Sequence, residues 1–168
     1  MIALWTSITG AAATLLGALL TFWIQRALGE RAATRQRLER ERRERLDAYS
    51  RFSGAAIHYR LSELTRWQLV SELPGSPEAR TAIGTAHRCR AVLFEELSRM
   101  QILTDDPGLR EIATDVVERI DAIHRAIDAE ERRRRGIEAG ERIERFVRHA
   151  ASDLRPGDHG VIALPFRR

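Results

Sequence analysis

The sequence predicts an all-α protein in three parts: a single N-terminal transmembrane helix, a charged helical stalk and a cytoplasmic antiparallel bundle of three or four helices. Three observations predict it: a long stretch without charge, a run of opposite charges spaced four residues apart, and apolar stripes of helical period that end at proline-containing breaks. We expect the transmembrane helix at residues 1–25, the stalk at 26–45, the bundle at 46–154 and a C-terminal tail at 155–168.

Composition excludes several classes of protein. The 168 residues allow one domain with an appendage. The single cysteine, Cys89, cannot form an intrachain disulfide, which excludes a disulfide-stapled secreted scaffold. The chain contains no asparagine, so it has no N-glycosylation acceptor. All 28 basic residues are arginine, and together with the many Glu, Ala and Leu they are typical of helices.

The N-terminal stretch from Ile2 to Ile24 holds 23 residues without a charged side chain. As a helix it would extend about 34 Å, against roughly 30 Å of bilayer hydrocarbon. Trp5 and Trp23 are 18 residues apart and would place one indole at each membrane interface. A buried core helix and a cleaved signal peptide are the alternatives. A signal peptide requires positive charge before its apolar region, and here the arginines follow it.

The arginines after this stretch predict its orientation. Arg26, Arg31, Arg35 and Arg37 all lie on its C-terminal side. The positive-inside rule therefore predicts a single-pass protein of the plasma membrane, with its N-terminus outside and its bundle in the cytoplasm. Arg26 and Arg31 lie closest and serve first as topology anchors at the lipid surface.

Small residues mark one face of the predicted membrane helix. Gly10, Ala13, Gly17 and Thr21 follow each other at spacings of three or four. Such residues allow two helix backbones to approach closely in lipid, so this face predicts self-association. The alternative is a lipid-facing helix that only contains small residues.

Residues 26–45 lack an apolar stripe beyond Leu28 and Leu38 and instead carry charges in helical register. Arg35 and Glu39, and likewise Arg40 and Glu44, lie four residues apart. Each such pair contributes about 0.2 to 0.5 kcal/mol, and several in series can support a solvated helix without a core. The pattern therefore predicts a helical stalk.

From Leu46 the pattern requires packing partners. The breaks fall at 73–77 and near Asp106 and Pro107, and a turn with low apolar content is expected between Asp128 and Arg142, where Gly136 and Gly140 occur. The predicted core stripes are Leu46, Tyr49, Ser53, Ala56 or Ile57, Arg60 or Leu61, Leu64 and Trp67 or Gln68; Ala82, Ala86, Cys89, Leu93, Leu97, Met100 and Leu103; Leu109, Ala113, Val116, Ile120, Ile123 and Ile127; and Ile143, Phe146, Val147, Ala150 and Leu154.

Local catalytic and metal motifs are missing from the sequence. It has no Gly-rich phosphate loop, GxSxG, HExxH or CxxC. His87 with Cys89, and Asp121 with His124, have spacings that metal sites use, but a di-iron bundle needs a Glu-x-x-His motif from two helices and a Glu from two others. We therefore expect no enzyme, no metal, no cofactor and no small-molecule substrate.

The run Arg132, Arg133, Arg134 and Arg135 is a candidate anion or nucleic-acid patch. Its simpler interpretation places the arginines at the end of a helix, where they complement the helix dipole among neighbouring glutamates. Because aromatic residues are not interleaved with them, we expect no nucleic-acid partner. The tail run from Val161 to Phe166 could rest on lipid or on the stalk, dock onto another protein or form a disordered end.

The segment GALLTFWIQRALGERAATRQRLERERRERLDAYSRFSGA, followed by YRLSELTRW, resembles small single-pass membrane proteins of high-GC actinobacterial genomes. The resemblance implies an anchored helical architecture and no activity. We expect a membrane-anchored, non-enzymatic adaptor or scaffold with the lipid bilayer and a homo-oligomer or another protein as partners. An oligomeric membrane-remodelling or pore-type protein and a membrane-tethered nucleic-acid binder are the alternatives.

Overall fold

The structure, a computed structural model, describes the backbone of residues 2–155 and the side chains of residues 36–155. It contains four helices: α1 (Ile2–Glu72), α2 (Pro77–Leu103), α3 (Pro107–Asp121) and α4 (Ala129–Asp153). A short 3-10 turn, Ile123–Arg125, lies between α3 and α4. No residue from 2 to 155 belongs to a strand, so the predicted all-α class is confirmed.

The chain divides into two compact units, Met1–Arg42 and Arg43–Arg168. The first unit is helical from Ile2 onward and belongs entirely to α1. The predicted membrane segment falls in it, and its side chains lie outside those that the structure describes. Within the part of the chain that the structure describes, no helix is both long enough and apolar enough to cross a bilayer. The second unit contains the bundle.

Three polar residues start α2, α3 and α4. Ser76, Asp106 and Asp128 each accept a backbone amide proton of the helix that follows. Pro77 and Pro107 occupy the first helical positions, where the missing amide proton costs nothing. The breaks that the sequence predicted at 73–77 and at Asp106 are therefore confirmed.

The predicted core stripe of α1 is confirmed only in part. Tyr49 and Ala56 are buried as expected, and Leu64 packs against the core. Leu46, Ile57 and Leu61 are instead about half exposed, and the largest fully buried side chains of α1 are Phe52 and Tyr59, which the stripe left out. Apolar residues cover a wide arc of this helix, so their spacing alone does not fix which side faces inward. Burial of the two aromatic rings removes more apolar area from water and decides the rotation.

The stripes of the other helices are largely confirmed. Their core members are Ala82, Ala86, Leu93, Leu97, Met100, Leu109, Ala113, Val116, Ile120, Ile123, Ile143, Phe146 and Ala150, all buried. Ile127 and Val147 are exposed against expectation. Because α3 ends at Asp121 and the 3-10 turn follows, the period of the stripe is lost before Ile127.

The turn expected between Asp128 and Arg142 does not occur. Helix α4 runs through it, starting from Asp128, whose side chain accepts the amide proton of Glu131. Ion pairs at helical spacing, Glu131 with Arg135 and Arg134 with Glu138, support the first two turns. The glycines lie inside the helix and serve packing against α1.

Cross-helix contacts define the register of the antiparallel bundle. Tyr49 donates to Asp153 at 2.8 Å, and the rings of Phe52 and Phe146 lie 4.7 Å apart. Toward the other end, the guanidinium of Arg132 lies 4.9 Å from the ring centre of Trp67. Helix α1 therefore packs against α4 in opposite directions, from Tyr49 near Asp153 to Trp67 near Arg132.

Asp106 links the start of α3 to α4 and provides a test of the fold. Its carboxylate accepts the amide protons of Gly108 and Leu109 and lies 2.7 Å from His149 Nε2. Partial burial raises the pKa of Asp106, but the hydrogen bonds from His149 and the amides outweigh it and hold the pKa below its usual value. The stabilisation is therefore present at neutral pH and is lost as pH falls through this lowered pKa.

We expect Asp106→Ala to lower the free energy of unfolding by about 1 to 2 kcal/mol at pH 7, because α3 loses its N-cap. Urea denaturation followed by circular dichroism measures this change. The matched control is Asp105→Ala, since Asp105 is exposed and makes no hydrogen bond or ion pair within residues 36–155. Equal stability of the two variants at pH 7 would contradict the role of Asp106.

Candidate interaction surface

The contact between α1 and α4 depends on two glycines. A methyl group on Gly136 would lie 3.0 Å from Leu64 Cδ2, and one on Gly140 would lie 3.4 Å from the Arg60 guanidinium. Both positions bring the α4 backbone close to α1. A glycine within a helix costs about 1 kcal/mol relative to alanine, and here the closer packing offsets that cost.

Arg60 fixes this approach with a hydrogen bond to the backbone. Its Nε donates to the carbonyl oxygen of Gly136 at 2.7 Å. The rest of its guanidinium lies over Gly140 and lines a groove that follows the α1–α4 contact. The sequence prediction, which placed either Arg60 or Leu61 in the core, missed this role.

The α1–α4 groove has a volume of about 900 Å³ and is open to solvent. It is lined by Arg60, Leu64, Ala129, Glu130, Arg132, Arg133, Arg134, Gly136, Ile137, Glu138 and Glu141. Four arginines and three glutamates line it, together with the apolar side chains of Leu64 and Ile137. Three of the four arginines that the sequence singled out therefore lie on one surface.

The structure assigns these four arginines different surroundings. Arg132 stacks on Trp67, Arg134 pairs with Glu138 at 3.0 Å, and Arg135 donates to the carbonyl oxygen of Ala122 at 2.5 Å. Arg133 is exposed and makes no ion pair or hydrogen bond within residues 36–155. One member of the run is thus available for a ligand without breaking an internal contact.

The helix-dipole explanation for this run is wrong. Arg132 to Arg135 lie in the first two turns of α4, at the positive end of its dipole, because the helix begins at Ala129. Glu130 and Glu131 in the first turn match the dipole instead, and i,i+4 ion pairs hold the arginines. The arginines therefore lie at the end of the helix where the dipole disfavours positive charge.

Five exposed aliphatic side chains lie on α1 and α4, of which Ile137 lines the groove and Leu46 and Val147 lie toward the Tyr49–Asp153 end of the bundle. Leu46, Ile57 and Leu61 on α1 and Ile137 and Val147 on α4 are between 46% and 52% exposed. Helical spacing places Ile57 and Leu61 beside Arg60 and Leu64, which contact α4, and Ile137 beside Gly136. We call these five residues the α1–α4 face. Exposed apolar residues grouped on one side of a domain make that side a candidate interaction surface.

Asp121 and His124, the candidate metal pair, lie in an internal polar cluster. Asp121 accepts the Tyr59 hydroxyl at 2.5 Å and two nitrogens of Arg90 at 3.1 and 3.2 Å. His124 Nδ1 lies 3.2 Å from Glu63, a buried carboxylate that Arg66 also contacts at 3.2 Å. The side chains described at 36–155 contain no group of three or more metal ligands. The carboxylates are held by arginines and a tyrosine.

The pKa values in this cluster follow from these contacts. Burial raises the pKa of Asp121, but hydrogen bonds from Arg90 and Tyr59 lower it further, to below its ordinary value. Burial and the bond to Asp121 raise the pKa of Tyr59. Partial burial, with Arg66 and Arg125 nearby, lowers the pKa of His124 more than Glu63 raises it. The neutral forms of Tyr59 and His124 are therefore favoured at pH 7.

The remaining predicted site residues do not belong to this polar cluster or to the groove. Cys89, on α2, is partly buried and packs against the core of the bundle, and His87 is exposed. Trp5, Trp23, Arg26 and Arg31, the small-residue face of Gly10, Ala13, Gly17 and Thr21, and the tail from Val161 to Phe166 fall outside the side chains that the structure describes.

A family model described as KilB plasmid transfer protein matches residues 46–154, which is more than half of the chain. The chain belongs to the KilB plasmid transfer protein family. The KilB match spans α2, α3, α4 and the part of α1 that packs against them, and so includes the α1–α4 groove. Neither the curated proteins nor the solved structures yield a match.

Most residues of the α1–α4 face of this KilB family member carry no signal of a surface in the sequence. Ile57, Leu61 and Ile137 gave no local signal because an apolar residue on a helix is first assigned to the core. Gly136 and Gly140 did carry a local signal of close packing. Two glycines four residues apart lie on the same side of a helix and allow another helix to approach closely. They were instead interpreted as a break.

We expect Tyr59→Phe to lower the free energy of unfolding by about 1 to 3 kcal/mol, because a hydrogen bond to a partly buried carboxylate is lost. The pKa of Asp121 rises in this variant, so stability begins to fall at a higher pH during acid titration. Carboxyl NMR titration measures the pKa, and acid unfolding measures the stability. As a control, Tyr49→Phe removes a hydroxyl that binds Asp153 and leaves the pKa of Asp121 unchanged.

Proposed function

We propose that this chain is a membrane-anchored, non-enzymatic helical adaptor in plasmid transfer, with its bundle in the cytoplasm and the α1–α4 face as its protein-contact surface. The observation that carries the proposal is the α1–α4 face, five half-exposed aliphatic side chains on a bundle that belongs to the KilB family. The family description supplies the process, and the sequence of the first 37 residues supplies the anchor.

The surface chemistry of the bundle supports protein contact. Charged residues make up 31% of the chain, yet Leu46, Ser50, Ile57, Leu61 and Gln68, all exposed, form an uncharged stripe along α1. Their spacings of four and seven residues place them in one line. An uncharged line on a charged bundle favours burial against another protein surface over permanent exposure to water.

Support for the anchor comes from the residue pattern. The stretch from Ile2 to Ile24 has no charged side chain, and Arg26 and Arg31 follow it closely. This order favours insertion with the following residues on the cytoplasmic side. Such an anchor would hold the bundle at the cytoplasmic side of the membrane.

The non-enzymatic part of the proposal rests on how the titratable groups are used. Asp121 and Glu63 are the carboxylates nearest to His124, and each is already held by an arginine. The cluster spans α1, α2, α3 and the 3-10 turn, so its contacts hold the bundle together. Side chains committed in this way have a structural use.

Nucleic-acid binding is the second candidate function, because Arg60, Arg132, Arg133 and Arg134 line one groove. Glu130, Glu138 and Glu141 line the same groove and oppose a phosphate backbone. The protein-contact proposal therefore has the stronger support.

We expect Ile57→Arg and Leu61→Arg to lower plasmid transfer between cells by about tenfold or more, because a charge is buried at a protein contact. Both side chains are half exposed in the bundle, so the fold is retained. Val92→Arg is the matched control, since Val92 is 49% exposed on α2. Mating assays measure transfer, and circular dichroism verifies folding. Wild-type transfer with both variants would contradict the proposed surface.

Deletion of residues 2–24 tests the anchor. We expect the deleted chain to leave the membrane fraction and to lose transfer, and an unrelated transmembrane helix of the same orientation to restore both. Wild-type transfer by a chain that stays out of the membrane fraction would contradict anchoring. Leakage from liposomes that hold the wild-type chain would favour the pore-type alternative.

We expect Arg133→Glu to change the affinity of the full chain for duplex DNA by less than about twofold at roughly 0.15 M salt. A true phosphate contact would instead weaken binding and reduce its salt slope by about one. Fluorescence anisotropy across a salt series measures both. Arg99→Glu, an exposed arginine on α2, is the control.

A further inference from the structure

We propose that the occupant of the α1–α4 face is a second copy of the same chain, related by a two-fold axis parallel to the helices. In this pair, α1 of each copy lies against α4 of the other, and the two α1–α4 contacts form a second four-helix core. The inference rests on the proposed use of this face for protein contact and names the partner.

The charges along the groove are complementary to a copy of themselves. Arg60, Arg132 and Arg133 line the groove and form no ion pair within residues 36–155, and neither do Glu130 and Glu141. Groups of both signs thus remain unpaired on one surface. A partner of one sign, such as a nucleic acid or an acidic peptide, would repel the groups of like sign. A second copy presents both signs.

The register of the bundle determines which residues meet. Arg60 and Leu64 contact Gly136 and Gly140, so this part of α1 is level with residues 136–140 of α4. A two-fold axis parallel to the helices leaves the position of each residue along the helix direction unchanged, so the same residues of the two copies lie level with each other. Leu61 therefore lies against the partner's Ile137, about the level of the groove.

Two further positions along the helices show which residues of the two copies lie opposite each other. Ile57 is one turn before Leu61 and falls level with the turn of α4 that follows Gly140. The contact of Phe52 with Phe146 places Val147 level with Phe52 and Ser53. At this level a large residue of one helix, Val147, can meet a small residue of the other, Ser53, as interdigitated helices require.

A parallel axis also suits an anchored protein. The two α1 helices run in the same direction, so residue 43 of each copy lies at the same end of the paired bundles. Both copies can then belong to one membrane. An axis perpendicular to the helices would place these residues at opposite ends.

Cysteine cross-linking in membranes tests the pair. The full chain carries Cys89→Ala to remove the native thiol, and two differently tagged copies, Leu61→Cys and Ile137→Cys, are co-expressed. Oxidation joins cysteines whose Cα atoms approach to about 4.4 to 6.8 Å. We expect a disulfide-linked heterodimer that carries both tags, with a yield about tenfold above that of the control pair Leu61→Cys with Val92→Cys. A yield equal to the control overturns the inference.

Two further variants separate this pair from other contacts. Gly10→Leu with Gly17→Leu blocks close approach of the predicted membrane helices, and we expect the cross-link to persist. A chain ending at Arg155 removes residues 156–168, and we expect the cross-link to persist there as well. Loss of the cross-link in either variant overturns the inference, as does exclusive linkage of Ile137→Cys to another protein.

Failure of the pair is distinguishable from failure of the proposed function. If Leu61→Arg lowers transfer and no heterodimer forms, the face binds a different protein, and only the inference fails. If the heterodimer forms and transfer is unchanged by Leu61→Arg, the inference stands and the adaptor role of the face fails.

Discussion

The bundle depends on the close approach of α4 to α1 at Gly136 and Gly140. Arg60 binds the Gly136 carbonyl from α1, and Leu64 fills the space that a side chain at position 136 would take. This contact sets the register of α1 against α4, and the register in turn aligns the aromatic pair at Phe52 and Phe146. It also creates the groove, since two helices that touch along one line leave a furrow on their outer side.

Much of the bundle could be predicted from the sequence because its local signals agree. Ser76 with Pro77, and Asp106 with Pro107, mark helix starts by chemistry that does not depend on the rest of the fold. The stripe of α2 follows a single narrow line, and the structure buries five of its seven members and partly buries Cys89 and Leu103. Where one side of a helix is apolar and the other charged, periodicity alone is sufficient.

The rest could not be predicted, for two physical reasons. Helix α1 is apolar over too wide an arc, so the choice between Phe52 and Ile57 depends on which side chain fills the space between the other helices. The role of Asp121 depends on Tyr59 and Arg90, which are distant in sequence and meet it only in the folded chain. A surface built from residues of two helices has no contiguous sequence signature.

The stacking of Arg132 on Trp67 has a spectroscopic consequence. Trp67 is the one tryptophan among residues 36–155, and its indole donates to the Ala126 carbonyl at 2.8 Å while Arg132 covers its face. The ring thus joins α1, the link before α4 and the first turn of α4. The fluorescence emission of Trp67 will therefore change when α1 separates from the start of α4. The bundle thus carries an intrinsic fluorophore at the margin of its groove.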